Sequence, residues 1–348
     1  RHYIRKMNLV DSDVAQGNYA YADDYNGFLS SDTAYADEDE ILRANSGTEN
    51  MSTDNSADES SGQISTDDAY ILQDYTTVKD LPVMEDKDVF NILLIGSDSR
   101  DLNDLGRSDA MMILSVNKKT KNIILTSLLR DIYLNIPGKK SNRLNTAYAI
   151  GGAKLLTETI EENFKIKLDG YVSVDFFAFL EIIDAIGGVT VEITEEELPF
   201  LNSHIRDINK ILKEDANKDV LALPGKHLLN GKQTLGYSRI RYVGTDFERT
   251  ARQRKVIEQI FEKMKKAGIK NIVKLLDIVL PKVTTNLKEI EIISHILNLP
   301  DYLGYEFKQW RIPVNGSYRN AKVRGMDVLL IDFEKNIKEI SERIYMKE

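Results

Sequence analysis

The chain has 348 residues, of which 42% are hydrophobic and 29% charged, with no cysteine, four histidines and a formal net charge of -9 at pH 7. That is the composition of a folded globular protein; the missing cysteines exclude disulfides and thiolate metal sites, and His2, His204, His227 and His295 have no metal-ligand spacing. The acidity is uneven, because residues 1–80 hold 17 Asp and Glu against 5 Lys and Arg while residues 81–348 hold 38 against 41, and with no basic stripe in the latter part a nucleic-acid partner is not expected.

Residues 1–82 read as an acidic linker or loosely structured arm, rich in Asp, Ser, Asn, Ala and Tyr without sustained periodicity. The organised domain spans 83–348. Its first strand, 91–95, stops at Gly96 and delivers Ser97-Asp98-Ser99-Arg100 to a loop at its carboxyl end, where ligands of open α/β sheets sit. A second strand, 111–116, has Arg107 and Asp109 just before it, and a third, 123–128, runs into Arg130-Asp131. The extended pattern continues over 132–136 to a Pro137-Gly138 turn, and a helix follows over 145–164 with Gly151-Gly152 inside it.

A strand over 168–174 leads to a helix capped by Asp175 that ends at Gly187-Gly188. This helix is apolar on nearly every side, so it is either a core helix or one wall of a pocket for an apolar ligand. A strand over 189–193 and a polar insertion over 194–221 come next. Helices are expected over 228–237, 246–267, 269–283 and 288–299, then a strand over 307–312 and a terminal helix over 328–345. The fold class this implies is α/β.

Two sets of side chains carry chemistry: the acids Asp98 and Asp109, with Asp101 and Asp131 beside them, and Arg100, Arg107, Arg130, Arg239, Arg241, Arg249 and Arg252. Arginine suits planar, bidentate recognition of phosphate, and carboxylates next to it fit a divalent cation shared with that phosphate. Taken one at a time, Arg130-Asp131 also reads as an ion pair and the arginines of the 246–267 helix as a solvated face. Residue types and spacing alone define a phosphate-binding α/β domain.

The ordered segments GSDSR, GRSDAMMILSVN, LTSLLRDIYLNIPG, LNTAYAIGGAKLL, DGYVSVDFFAFLEIIDAIGGVTVEI and LNGKQTLGYSRIRY with DFERTARQR resemble the LytR-CpsA-Psr family of bacterial cell-wall enzymes over about residues 83–268, with looser similarity to the C-terminus. One departure is LLRD, where the family commonly has a proline before the Arg-Asp. The resemblance implies a three-layer α-β-α fold around a mixed sheet containing antiparallel pairs. It also implies an enzyme, a phosphotransferase that moves a glycopolymer such as teichoic acid or capsule from undecaprenyl pyrophosphate to peptidoglycan. It further implies a single-pass anchor upstream of this sequence and a catalytic domain on the extracellular face of the membrane. By motif, Asp98 and Asp109 would hold Mg²⁺ or Mn²⁺, while Arg107, Arg130, Arg239, Arg241, Arg249 and Gln253 would grip the pyrophosphate, with Asp246 positioning them. Asp98, Asp109, Arg130 and Arg239 would be the catalytic set, and Phe176, Phe177, Phe179, Leu180 and Ile183 would line a prenyl tunnel. The alternatives are a polyprenyl-phosphate-binding regulatory module or a polyprenyl pyrophosphate hydrolase, and either Asp98 or Asp109 could act as base.

Overall fold

The computed structural model of the chain describes residues 8–9, 77–98, 108–241 and 243–346. The chain divides into a unit made of residues 1–11 and 65–348 and a second unit, residues 12–64, which lies outside the described residues. All that follows concerns the first unit.

Its framework is a seven-stranded mixed sheet in the order β1-β10-β7-β2-β3-β4-β11. These are β1 (Asn8–Leu9), β2 (Val89–Ser97), β3 (Ser108–Asn117), β4 (Asn122–Leu128), β7 (Gly170–Val174), β10 (Thr284–Thr285) and β11 (Glu306–Ile312). β2, β3 and β4 form an antiparallel meander, while β7 runs parallel to β2 and β11 parallel to β4. β2 alternates buried and half-buried residues along its length, as a strand covered more heavily on one face requires. The central strands β3 and β4 are buried almost throughout. The edge strand β1 lies inside the stretch expected to be an arm, where its two residues pair with β10.

Helices cover both faces. On one side α1 (Leu144–Phe164) and α8 (Phe333–Ile340) send Leu156, Ile160, Phe164, Ile337 and Ile340 onto Leu93, Ile95, Ile113, Ile124 and Leu128. On the other, α5 (Asp246–Ala267) and α7 (Glu289–Tyr302) pack Phe261 and Tyr302 against Val116, Ile123 and Phe307. A further core joins α2 (Phe176–Ala185), the hairpin β8 (Val189–Ile193) with β9 (Gly225–Leu229), α3 (Glu197–Leu212) and α4 (Gly231–Arg239) to Val256 of α5. Beside these lie the short pair β5 (Tyr133–Leu134) with β6 (Asn142–Arg143), the helix α6 (Ile269–Val279) and the hairpin β12 (Tyr318–Val323) with β13 (Met326–Ile331).

Three sequence expectations give way to packing. The polar insertion contains α3, whose Leu201, Ile205 and Ile208 recur at helical spacing and are fully buried beneath its charged face. The helix expected from 228 begins only at Gly231, because Leu228 and Leu229 pair with Thr190 and Val189. The terminal helix starts at Phe333, with Asp332 as its N-cap, because residues 326–331 close the second hairpin. Within α1 the paired glycines form a kink: Gly152 has φ +62 and its neighbour Gly151, where a Cβ would lie 2.6 Å from Leu155 Cβ, is also non-helical.

One glycine decides where α4 sits. Gly231 opens that helix directly on α2; a Cβ there would lie 2.3 Å from the Leu180 carbonyl oxygen, and its amide donates to Asp184 Oδ1 at 2.7 Å. Gly231→Ala is therefore expected to destabilise the fold by about 1–3 kcal/mol through overpacking. Urea denaturation checks this, and a change within about 0.5 kcal/mol, typical of an uninvolved surface site, would show that the helix contact yields freely.

Candidate functional site

The sheet brings its acids and arginines to one end. Gly96 pairs with Ala110 across β2 and β3, so Asp98 just past β2 and Asp109 at the start of β3 emerge at the same edge. Arg130 and Asp131 follow β4 at that edge, and their backbone is fixed from two sides. Asn145 N–H of α1 donates to the Arg130 carbonyl (3.2 Å), and Leu329 N–H of β13 to the Asp131 carbonyl (2.8 Å).

Asp109 is the hub. Its Oδ1 lies 3.2 Å from Arg130 Nη1, 3.2 Å from Arg249 Nη2 and 3.6 Å from Arg241 Nη2. Arg249 Nη2 also donates to the Asp109 carbonyl at 2.9 Å, and Gln253 Nε2 approaches the same oxygen at 3.5 Å. Asp246 bridges the group from α5, with Oδ1 3.2 Å from Arg249 Nη1 and 3.5 Å from Arg130 Nε. Burial alone would raise the Asp109 pKa, but the charges of Arg249, Arg130 and Arg241 outweigh it and hold this carboxyl far below the ordinary carboxylate range.

The helix α5 delivers this set through its own start signals. Thr245 caps it, accepting from Phe247 N–H, and Glu248 reaches back to Thr245 N–H in a capping box. Arg249 and Gln253, one turn apart, then share the face toward Asp109. That face is not solvated: the Arg249 side chain is 2% exposed.

Arg252, expected among the phosphate-binding arginines on residue type, does different work. It is 7% exposed, donates through Nε to Glu197 Oε1 (2.7 Å), and through its remaining nitrogens to the carbonyls of Ile240 (3.0 Å) and Val243 (2.6 Å). It thus clamps the segment that carries Arg241, and its acidic partner comes from the insertion. Glu197 is itself held by reciprocal hydrogen bonds with Thr194.

His204, on the same helix as Glu197, went unremarked in the motif pattern. Burial, reinforced by Arg239, Arg241 and Arg249, drives its pKa down to about 3, and its buried Nε2 has no hydrogen-bond partner. The imidazole therefore adds no charge beside the arginines at neutral pH. Asp131 moves the other way: burial and the neighbouring Asp246 raise its pKa against the opposing pull of Arg130 and Arg143.

Of the residues singled out in the sequence, Arg130, Arg241, Arg249, Gln253 and Asp246 meet around Asp109, and the charge of Arg239 acts with those of Arg241 and Arg249 on His204. Arg100, Asp101 and Arg107 lie outside the described residues. Among the tunnel candidates, Phe176 and Leu180 pack on Ile208, and Ile183 is closed into the core with Val189 and Leu201. These three are buried in helix contacts; Phe179 is partly buried and Phe177 is 38% exposed.

For a divalent cation, Asp98 and Asp109 would supply hard oxygen ligands, and Asp109 stays ionised. Among the described residues no group of three or more His, Asp or Glu is placed to hold a metal. Two carboxylates suit Mg²⁺ when substrate phosphate oxygens complete its shell.

An α/β domain with a preformed arginine-carboxylate cluster at one end of its central strands is the class of protein these features define. The LytR_cpsA_psr family model matches residues 41–343, and the chain belongs to that family. The match begins before the expected residue 83 and takes in the C-terminal part, where a looser resemblance was expected. Biofilm regulatory protein A of Streptococcus mutans is 35% identical over 248 residues, covering 67% of this chain and 57% of that protein. Enterococcus faecalis TagU, a polyisoprenyl-teichoic acid–peptidoglycan teichoic acid transferase, is 37% identical over 186 residues, covering 52% and 55%. The chain thus spans little more than half the length of these two relatives. Among solved structures, TagT with bound octaprenyl pyrophosphate aligns over 77% of this chain and 96% of its own, at 25% identity and a TM-score of 0.56. TagT bound to LI-WTA aligns over the same shares at 26% identity and a TM-score of 0.60.

Two outcomes follow from this geometry. Arg252→Ala leaves Glu197 buried without its partner and should cost about 3–5 kcal/mol in stability; thermal unfolding reads this, and a loss below about 1 kcal/mol would show that the clamp is dispensable. For His204, a folded pKa below the unfolded value near 6.5 means that the unfolded chain binds the extra proton, so stability falls as pH drops through the window from about 6.5 toward 3. His204→Gln should flatten that fall in urea titrations between pH 7 and pH 5, whereas parallel profiles for the two proteins would contradict it.

Proposed function

We propose that the protein is a phosphotransferase, passing an anionic glycopolymer from a polyprenyl pyrophosphate carrier to a sugar hydroxyl of peptidoglycan. The observation that carries this reading is the convergence of Arg130, Arg241 and Arg249 on Asp109, from a strand end, a loop and a helix. The names of the relatives and the prenyl pyrophosphate and LI-WTA complexes of TagT support the same class of donor.

Displacement at phosphorus asks the protein for position and charge rather than for covalent chemistry. Arg130, Arg239, Arg241 and Arg249 would hold the diphosphate oxygens and stabilise the charge that builds on the leaving prenyl phosphate. Gln253, through Asp109, and Asp246, through Arg130 and Arg249, fix that array. Asp98 and Asp109 would hold Mg²⁺, which when bound supplies further charge neutralisation on the phosphate. Asp109 is a poor proton acceptor, since its carboxyl is held so far below the ordinary range. Asp131, shifted upward at the same edge, is the better-matched base for the incoming hydroxyl. The setting on the outer face of the bacterial cytoplasmic membrane belongs to this proposal; no described helix is long and apolar enough to cross a membrane.

Supplied with a lipid-linked glycan pyrophosphate, peptidoglycan oligomers and Mg²⁺, the protein should release prenyl phosphate and attach the glycan, and a chelator should stop both. Arg130→Ala and Arg239→Ala should each raise the barrier by about 2–4 kcal/mol, the loss seen when one preorganised charge-stabilising donor is removed. Near-unchanged turnover in both variants would contradict these roles, release without attachment would identify a hydrolase, and donor binding without release would identify a binding module.

A further inference from the structure

Seven-residue spacing puts Phe247, Arg254 and Phe261 on one face of α5. The two rings fix what that face lies against: Phe247 sits under the Arg311 guanidinium at 4.1 Å, and Phe261 stacks on Phe307 at 5.0 Å. Arg311 and Phe307 belong to β11, the edge strand of the sheet, so Arg254 lies between them along that edge. Its guanidinium is poorly provided for. Nε and Nη1 are buried without a hydrogen-bond partner, and the charge that acts on the group, among the described residues, is the like charge of Arg311. Burial, reinforced by Arg311, pushes the Arg254 pKa down to about 10, which leaves the group charged at neutral pH. Arg311 is anchored by neutral groups, its Nη1 donating to the Pro313 carbonyl and its Nη2 to Asn315 Oδ1. Ser127 of β4, the register partner of Arg311, shares its face of the sheet; it is 1% exposed and its Oγ is also unpartnered.

These features select a ligand class. A buried donor left unmade costs about 1–3 kcal/mol, and a charge taken out of water is ordinarily paired. Two guanidinium groups and a hydroxyl offer N–H and O–H donors and an uncompensated positive charge, so the missing partner is an oxyanion. The donors come from a helix and two strands, three directions that a tetrahedral phosphate meets and a planar carboxylate does not. Gln309, between Phe307 and Arg311 on β11, is exposed, so the edge of the sheet gives access. We propose that Arg254, Arg311 and Ser127 form a second anion site, which binds one phosphate group, free or as the phosphodiester of a larger ligand. The site is distinct from the cluster at Asp109, which Arg249 and Gln253 meet from a different face of α5. It stands whether or not the transferase reading does.

Side-chain Nε–H resonances of the arginines test this in the full chain without any substitution. Titrated with inorganic phosphate at constant ionic strength, the signals of Arg254 and Arg311 should move together and saturate, while acetate at the same concentrations leaves them in place. In Arg254→Gln the phosphate Kd read at Arg311 should weaken about tenfold or more, the scale of one charge-assisted hydrogen bond. The Arg130 signal, which reports the other cluster in the same sample, should respond as in the wild type. Glycerophosphoglycerol separates the two sources: a response like that to phosphate assigns the site to a diester-bearing ligand, and a response to inorganic phosphate alone assigns it to the free ion. Arg254 and Arg311 signals unmoved by both probes would overturn the site, as would an unchanged Kd in Arg254→Gln. An equal response to acetate would overturn the phosphate assignment.

Discussion

The site is organised by the attraction between one carboxylate and three guanidinium groups. Unit charges about 4 Å apart in a partly buried site interact by roughly 4 kcal/mol. Three such contacts outweigh the desolvation of Asp109 and keep it ionised. The same carboxylate offsets the mutual repulsion of Arg130, Arg241 and Arg249, which would otherwise drive them apart. Arg249 and Asp109 meet across 140 positions of chain, so the fold must assemble before the site exists. What results is a cluster richer in arginine than in acid, the condition for receiving a multiply charged phosphate with little reorganisation.

The surrounding structure resists the relaxation that would spread those charges. Arg252 spends its hydrogen bonds on Glu197 and on two carbonyls of the segment carrying Arg241. Gly231 lets α4, which ends in Arg239, lie directly on the backbone of α2. The carbonyls of Arg130 and Asp131 are gripped by α1 and β13. Each contact holds backbone rather than ligand, which is how functional side chains are kept within a narrow geometry. His204, neutral among cations, occupies space beside the arginines without adding to their repulsion. Asp131 and Asp246 both contact Arg130 Nε, at 3.6 and 3.5 Å, and so hold that guanidinium from its other side.

Much of this was legible in the chain before any coordinates. The meander and its strand ends could be read because each apolar run stops at glycine or at charged residues, as at Gly96 and at Arg130. The cap at Asp175 announced its helix, since side-chain capping is local. The polar insertion could not be read in the same way. Its buried stripe of Leu201, Ile205 and Ile208 is thin beside its charges, and the role of Glu197 depends on a partner 55 residues away. The start of the terminal helix was hidden for a similar reason: residues 326–331 become a strand only by pairing with residues 318–323. Arg252 and Arg249 are three residues apart on one helix and indistinguishable by type, yet one meets the carboxylate hub and the other clamps a loop. Only their separate long-range partners decide which does which.

In the proposed function a single diphosphate is embraced by side chains from the segment after β4, the end of α4 and the loop after it, and α5. A crystal structure of the protein with a prenyl pyrophosphate and Mg²⁺ measures this directly. Diphosphate oxygens within hydrogen-bond distance of Arg130, Arg239, Arg241 and Arg249 are the expected result, with the cation against Asp109. A diphosphate bound elsewhere, with Asp109 still enclosed by its three arginines, would contradict it.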